Sequence, residues 1–164
     1  MMKNKFENIH VFTTDTVLGM GCSIKDKKSL ELIYDLKQRD CSKKIIILLA
    51  NIEQLYALEN ITNEQKNILN KYWPGAVSFI INQQGYRIPD NNSLRNFLLE
   101  KGPFYVTSCN VSGHPAIESI EIAKKEFTQL VNFNDFGPMS QDASAVIDLD
   151  NNVLLRASKI INKW

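Results

Sequence analysis

The chain has 164 residues, with 19 Lys+Arg against 18 Asp+Glu and a formal net charge of +1. That length suits one domain, residues 1–164, with enough buried surface to fold without disulfides or a structural metal. Near-neutrality excludes a protein that grips nucleic acid by bulk electrostatics, since no cationic excess is available to neutralise phosphates.

In chain order, Ile9–Thr13 reads as a short strand running into the polar turn Thr14-Asp15-Thr16. Asp26 caps a helix whose apolar residues Leu30, Ile33, Tyr34 and then Leu32, Leu36 recur at three- and four-residue spacing. Ile45–Leu49 is apolar without alternation, as a strand covered on both faces should be. Helices follow over Ile52–Leu58 and Thr62–Tyr72, the second opened by Thr62 and Gln65 at capping-box spacing and stopped by Trp73-Pro74-Gly75. Next come a strand at Ala76–Ile81, an extended piece at Tyr86–Ile88, a helix at Ser93–Lys101 and a strand at Phe104–Ser108. After the loop Cys109–Pro115, Glu118–Phe127 is helical, and Ala145–Leu149 with Val153–Arg156 forms a closing hairpin. The pattern defines an α/β domain built on a mixed sheet flanked by helices.

Charge is unevenly spread along this order. Residues 25–44 hold seven Lys/Arg against four Asp/Glu, whereas residues 118–150 hold two Lys against seven Asp/Glu. Lys37, Arg39, Lys43 and Lys44 cluster where a helix gives way to a buried strand, and strand ends are where α/β sheets place anionic ligands. Cys22, Cys41 and Cys109 are widely spaced and, with only His10 and His114, offer no metal-ligand spacing. Residues 1–8 lack the apolar run of a secretion signal, and Ile45–Ala50 is too short to span a bilayer. The expectation is a cytoplasmic protein with free thiols and no membrane partner. No P-loop, GxGxxG or GxSxG signature is present.

Separated segments resemble, in order and spacing, motifs of the YrdC/TsaC family. Phe12–Cys22 resembles an opening YPT-D/E-TVYGLGC, and Lys37-Gln38-Arg39 followed by Lys43 resembles a KxR segment. Tyr72–Ser78 resembles WPGPLT, and Thr107–Pro115 resembles TSANxSGxP. Weaker matches are Arg87-Ile88-Pro89 with VRxP, Ser144–Asp148 with STVVD, and Leu155-Arg156 with LRxG. The resemblance implies a YrdC-like fold with a twisted mixed sheet. It also implies synthesis of threonylcarbamoyl-AMP from L-threonine, bicarbonate and ATP with release of pyrophosphate, the product serving tRNA modification through a separate tRNA threonylcarbamoyltransferase.

On that resemblance Lys37, Arg39, Ser108 and Asn110 form the catalytic tetrad around the triphosphate, with Lys43, Arg87, Ser144 and Arg156 as further ATP contacts. Thr14 and Thr16 help bind threonine, and Asp15 either fixes their loop or meets the amine. Magnesium is implied with ATP as substrate; neither a prosthetic group nor a metal held by protein side chains is expected. The competing reading is a non-catalytic module of the same fold for RNA binding or ribosome assembly, and weak RNA binding is compatible with either. A third keeps the fold and carbamoylates another acceptor. The chain departs from the motifs at Thr13, Leu18, Gln38, Asp40 and Ala145. Leu18 is expected to reshape the threonine pocket, and Asp40 to weaken the pull of Arg39 on phosphate.

Overall fold

The short apolar runs separated by capped helices assemble into one nine-stranded sheet in a computed structural model that describes residues 2–164. Along the chain the elements are β1 (His10–Phe12), β2 (Gly19–Ser23), α1 (Lys27–Lys37), β3 (Ile46–Leu48), α2 (Ile52–Tyr56), α3 (Asn63–Tyr72) and β4 (Val77–Ile81). They continue with β5 (Gln84–Arg87), α4 (Asn92–Lys101), β6 (Phe104–Ser108), α5 (Ile120–Glu126), β7 (Asn132–Asn134), β8 (Ala145–Asp148) and β9 (Val153–Arg156). The sheet order is β7-β1-β2-β6-β3-β5-β4-β8-β9. It is mixed: β1–β7, β3–β5 and β4–β8 are parallel, and the other neighbours are antiparallel. The expected mixed α/β architecture is observed.

Local chemistry explains the helix boundaries. Asp26 accepts the Ser29 N–H and caps α1. Thr62 and Gln65 form the full reciprocal capping box at the start of α3. Gln38 ends α1 with φ 50°, a left-handed conformation that glycine adopts more cheaply.

Side-chain alternation gives the sheet two different faces. Ile47, Val77, Phe79, Ile81, Tyr86, Ala145 and Ile147 pack in one cluster with Leu55 and Leu69 of α2 and α3 and with Trp73. Val11, Met20 and Cys22 pack with Ile33 of α1 and Ala123 of α5. On the opposite face, α4 covers Phe12, Leu48, Phe104 and Val106 through Leu94 and Leu98. The rest of that face is a cavity.

Two strands, β2 and β7, are absent from the sequence reading. Gly19 and Gly21 lie where a Cβ would strike Val106, at 2.8 and 2.9 Å, so β2 lacks the side chains on one face that ordinarily announce a strand. β7 is Asn-Phe-Asn, with one apolar residue to signal it.

Candidate functional site

The cavity holds about 480 Å³ and is floored by alternate residues of the central strands. Ile46 and Leu48 come from β3, Ser78 and Ile80 from β4, Gly85 and Arg87 from β5, and Val106 and Ser108 from β6. Gly85 keeps the floor low, since a Cβ there would meet Ile46 at 2.7 Å. The lining includes Arg39, Lys44, Arg87 and Arg156 and contains no Asp or Glu. Of the residues singled out in the sequence, Thr14, Thr16, Arg39, Arg87, Ser108, Asn110, Ser144 and Arg156 all line this space, from six separate stretches of chain.

The threonine turn is locked to β5. Arg87 is 3% exposed and donates through Nη1 to both carboxylate oxygens of Asp15, at 2.7 and 2.9 Å. The same nitrogen reaches the Gly75 carbonyl, and Nη2 donates to Thr16 Oγ1 at 3.2 Å. Asp15 also accepts the Asp90 N–H, so its carboxylate is committed to holding the turn. Within the turn, Thr14 Oγ1 donates to the Val17 carbonyl at 2.6 Å and accepts the Thr16 N–H. Arg87 Nε is buried with no partner among the described residues, an exception in a site where buried donors are otherwise paired.

Lys37 does not line the cavity. Its ammonium, 1% exposed, lies behind the Ser108–Asn110 loop and donates to the Ser108 and Asn110 carbonyls and to Asn110 Oδ1. Ser108 Oγ donates to the same Oδ1 at 2.6 Å, while Asn110 Nδ2 donates to the Val111 and His114 carbonyls. Burial pushes the Lys37 pKa down to about 8. Arg39, on the cavity side, is anchored by Nε and Nη2 to the Lys43 and Lys44 carbonyls, both at 3.0 Å. The Lys43 side chain stays outside the cavity and Lys44 takes its place among the lining residues. Arg156 reaches in from β9, donating to the Ser144 carbonyl at 2.8 Å and to Ser144 Oγ, which pairs with Ser78 Oγ at 2.9 Å.

The departures from the motifs find physical places. Thr13 Oγ1 accepts the Phe136 N–H and donates to Asp135, tying the end of β1 to the segment after β7. Leu18 and Ala145 are fully buried in the cores on the other face, so neither shapes the cavity. Val17 is the residue of that stretch that does. Asp40 accepts the Ser42 N–H at 2.9 Å, and that bond lowers its pKa. Sequence reasoning placed Lys44 in the basic cluster without assigning it a contact in the site, and missed Ser78, Gln83 and Gly85. Two-residue alternation back from Leu48 and Ile46 points to Lys44; Gly85 had no comparable signal.

A sheet face of an α/β protein that gathers guanidinium, ammonium and hydroxyl groups and excludes carboxylates has the chemistry to receive an anion. The chain belongs to the Sua5/YciO/YrdC family, whose model, described as telomere recombination, matches residues 5–158. It is similar to the threonylcarbamoyl-AMP synthase of Aliivibrio fischeri, 31% identical over 116 residues that cover 69% of this chain and 58% of that protein. The synthase of Yersinia enterocolitica is 27% identical over 139 residues, covering 74% and 73%. Among solved structures, Sua5 of P. abyssi complexed with L-threonine superposes with a TM-score of 0.83 at 26% identity, covering 92% of this chain and 50% of that one. E. coli YciO shares the fold at TM-score 0.82 and 22% identity, covering 95% and 85%. The chain thus spans little more than half the length of the A. fischeri synthase and half of the P. abyssi Sua5. Among the described residues no helix is long and apolar enough to cross a membrane, and no group of three or more His, Cys, Asp or Glu is placed to hold a metal.

Proposed function

We propose that this chain condenses L-threonine, bicarbonate and ATP into threonylcarbamoyl-AMP, releasing pyrophosphate. The observation that carries the reading is a carboxylate-free cavity in which Arg39, Lys44, Arg87 and Arg156 converge beside the Thr14–Thr16 turn. Bicarbonate and the triphosphate are anions, and Arg39, Lys44 and Arg156, the lining cations without a carboxylate partner, offset the repulsion that would keep them apart. The threonine amine attacks the bicarbonate carbon and a carbamate forms with loss of water. A carbamate oxygen then attacks the α-phosphorus, and the bond from that phosphorus to the bridging oxygen breaks with pyrophosphate as leaving group. No covalent bond to the protein is needed, so holding three reactants in line does most of the work.

In this scheme Arg39 and Arg156 pair with phosphate oxygens, while Arg87 holds the threonine turn through Asp15 and Thr16. Ser108 and Asn110 line the reacting centre, and Lys37 positions them through their carbonyls rather than by touching substrate. Asp15 holds the threonine turn through Arg87. Magnesium enters as part of the ATP substrate, coordinated by phosphates and water, since the lining supplies no carboxylate. The product is a reactive mixed anhydride, which fits a reaction class in which a tRNA-modifying transferase consumes it.

Purified protein given ATP, magnesium, labelled bicarbonate and threonine should release pyrophosphate and yield a labelled threonylcarbamoyl adenylate by mass spectrometry. Pyrophosphate release that persists without threonine would replace this reading with carbamoylation of another acceptor. No release, combined with tight RNA binding at physiological salt, would replace it with a non-catalytic module.

A further inference from the structure

We infer that Lys44 is the cation at the cavity mouth that takes a phosphate of the bound nucleotide, and that a turn locked by Asp150 positions it; the phosphate's identity rests on the nucleotide reading above. β3 alternation places Lys44 in one row with Ile46 and Leu48 on the cavity face, whereas Lys43 falls outside the cavity. Arg39 seizes the Lys43 and Lys44 carbonyls, so the guanidinium and the ammonium share one end of the cavity.

Lys44 Nζ does not swing freely. It donates to the Gln83 carbonyl at 3.1 Å, which leaves two ammonium hydrogens for a ligand. Gln83 belongs to the two-residue turn between β4 and β5, where Asn82 has φ 50° and Gln83 φ 67°. Both are in the left-handed region, where a side chain costs on the order of 1 kcal/mol and glycine is the usual occupant. The turn is braced from outside. The Asp150 carboxylate, from the β8–β9 connection, accepts the Asn82 and Gln83 N–H groups at 2.8 and 2.9 Å. Asn82 Nδ2 donates to Glu59 at 2.7 Å, and Glu59 also accepts the Tyr86 hydroxyl at 2.6 Å. A backbone held against its preference next to a ligand cavity is the kind of local cost that positioning a functional group explains. Neither Asp150 nor Glu59 enters the cavity, so the bracing adds no negative charge to the lining. A pre-placed lysine loses less side-chain freedom when the anion arrives.

Calorimetric titration of ATP, inorganic tripolyphosphate and L-threonine into wild type, Lys44→Met, Lys44→Arg and Asp150→Ala tests this. Lys44→Met is expected to weaken both phosphate ligands about tenfold while threonine affinity holds, the size of one charge-assisted hydrogen bond. Lys44→Arg should recover most of the loss, and Asp150→Ala should fall between wild type and Lys44→Met. Unchanged affinity for both phosphate ligands in Lys44→Met would overturn the inference. So would an equal loss of threonine binding, which would assign Lys44 to the fold. If wild type binds tripolyphosphate but neither ATP nor threonine, the synthase reading fails, and the tripolyphosphate arm still decides the role of Lys44.

Discussion

Lys37 carries its charge in a place nearly without water, 1% exposed, and spends it on two carbonyls and one amide oxygen of the Ser108–Asn110 loop. Lys37→Met removes all three bonds and leaves buried acceptors unpaired, a loss of about 2 kcal/mol at neutral pH and, through a loosened loop, at least about tenfold in turnover. The cost has a pH signature. The folded pKa lies near 8 against 10.5 for an ordinary lysine, so between those values the unfolded chain holds a proton that the folded one has released. Stability therefore rises with pH across that window, and the burden of keeping the ammonium charged is felt in full only below it. The buried thiols Cys22 and Cys109, pushed up to about 12, act in the opposite sense above pH 9. Cys22 does so equally in both variants. The Lys37 charge holds the Cys109 pKa down, so its loss raises the cost of that thiol in the variant and adds to the wild-type margin. Urea denaturation at pH 7.5 and 10 should show the margin of wild type over Lys37→Met widening with pH; a margin that is flat or shrinks removes the desolvated-lysine account. The motif named Lys37, Ser108 and Asn110 together. Which of them faces the ligand depends on depth beneath the loop, and residue order does not encode depth.

Among the elements, β9 shows where pattern reading runs out. Val146 pairs with Arg156 and Ile147 with Leu154, so Leu155 is an extra residue in the strand, a β-bulge. Strict alternation would put Arg156 on the same side as Leu154, which packs against the core around Ile147. The bulge turns Arg156 onto the cavity face instead, beside Ser144. Hairpin and helices were legible because capping residues and apolar spacing are local signals, as at Asp26 and Thr62. β2 and the Arg156 side were not, since a glycine strand and a bulge are defined by what lies across the sheet. Deleting Leu155, which is exposed, makes the ladder regular while keeping Arg156 opposite Val146. ATP affinity in that deletion is expected to stay within about threefold of wild type, while Arg156→Ala loses about tenfold or more, as expected for a lost charged hydrogen bond. Titration calorimetry on both decides it. If the deletion binds as poorly as Arg156→Ala, the bulge does more than set the facing of one side chain.

For the whole molecule, a net charge of +1 describes no part of its surface. Four cations line one cavity with no acid among them, and only Arg87 has a carboxylate partner, Asp15, set behind the lining. The balancing acids lie elsewhere, many of them in residues 118–150. Such a layout leaves an uncompensated field in the cavity that acts on ATP, which carries several negative charges, far more than on zwitterionic threonine. Salt should therefore separate the two ligands. The screening length falls from about 10 Å at 0.1 M to about 3 Å at 1 M, shorter than the distance across a cavity of this size. Raising potassium chloride across that range should weaken ATP binding by at least about tenfold and threonine binding by less than about twofold, read by calorimetry. Thermal unfolding gives the same comparison independently, because a ligand at about 100 times its Kd adds about 2.7 kcal/mol to the folded state and that gain shrinks as Kd rises. At fixed ligand concentration, the ATP-induced rise in Tm should fade with salt while any threonine-induced rise persists. Equal salt sensitivity for both ligands would mean that the cations lining the cavity are neutralised in the free protein, and the electrostatic basis of the proposed chemistry would fall with it.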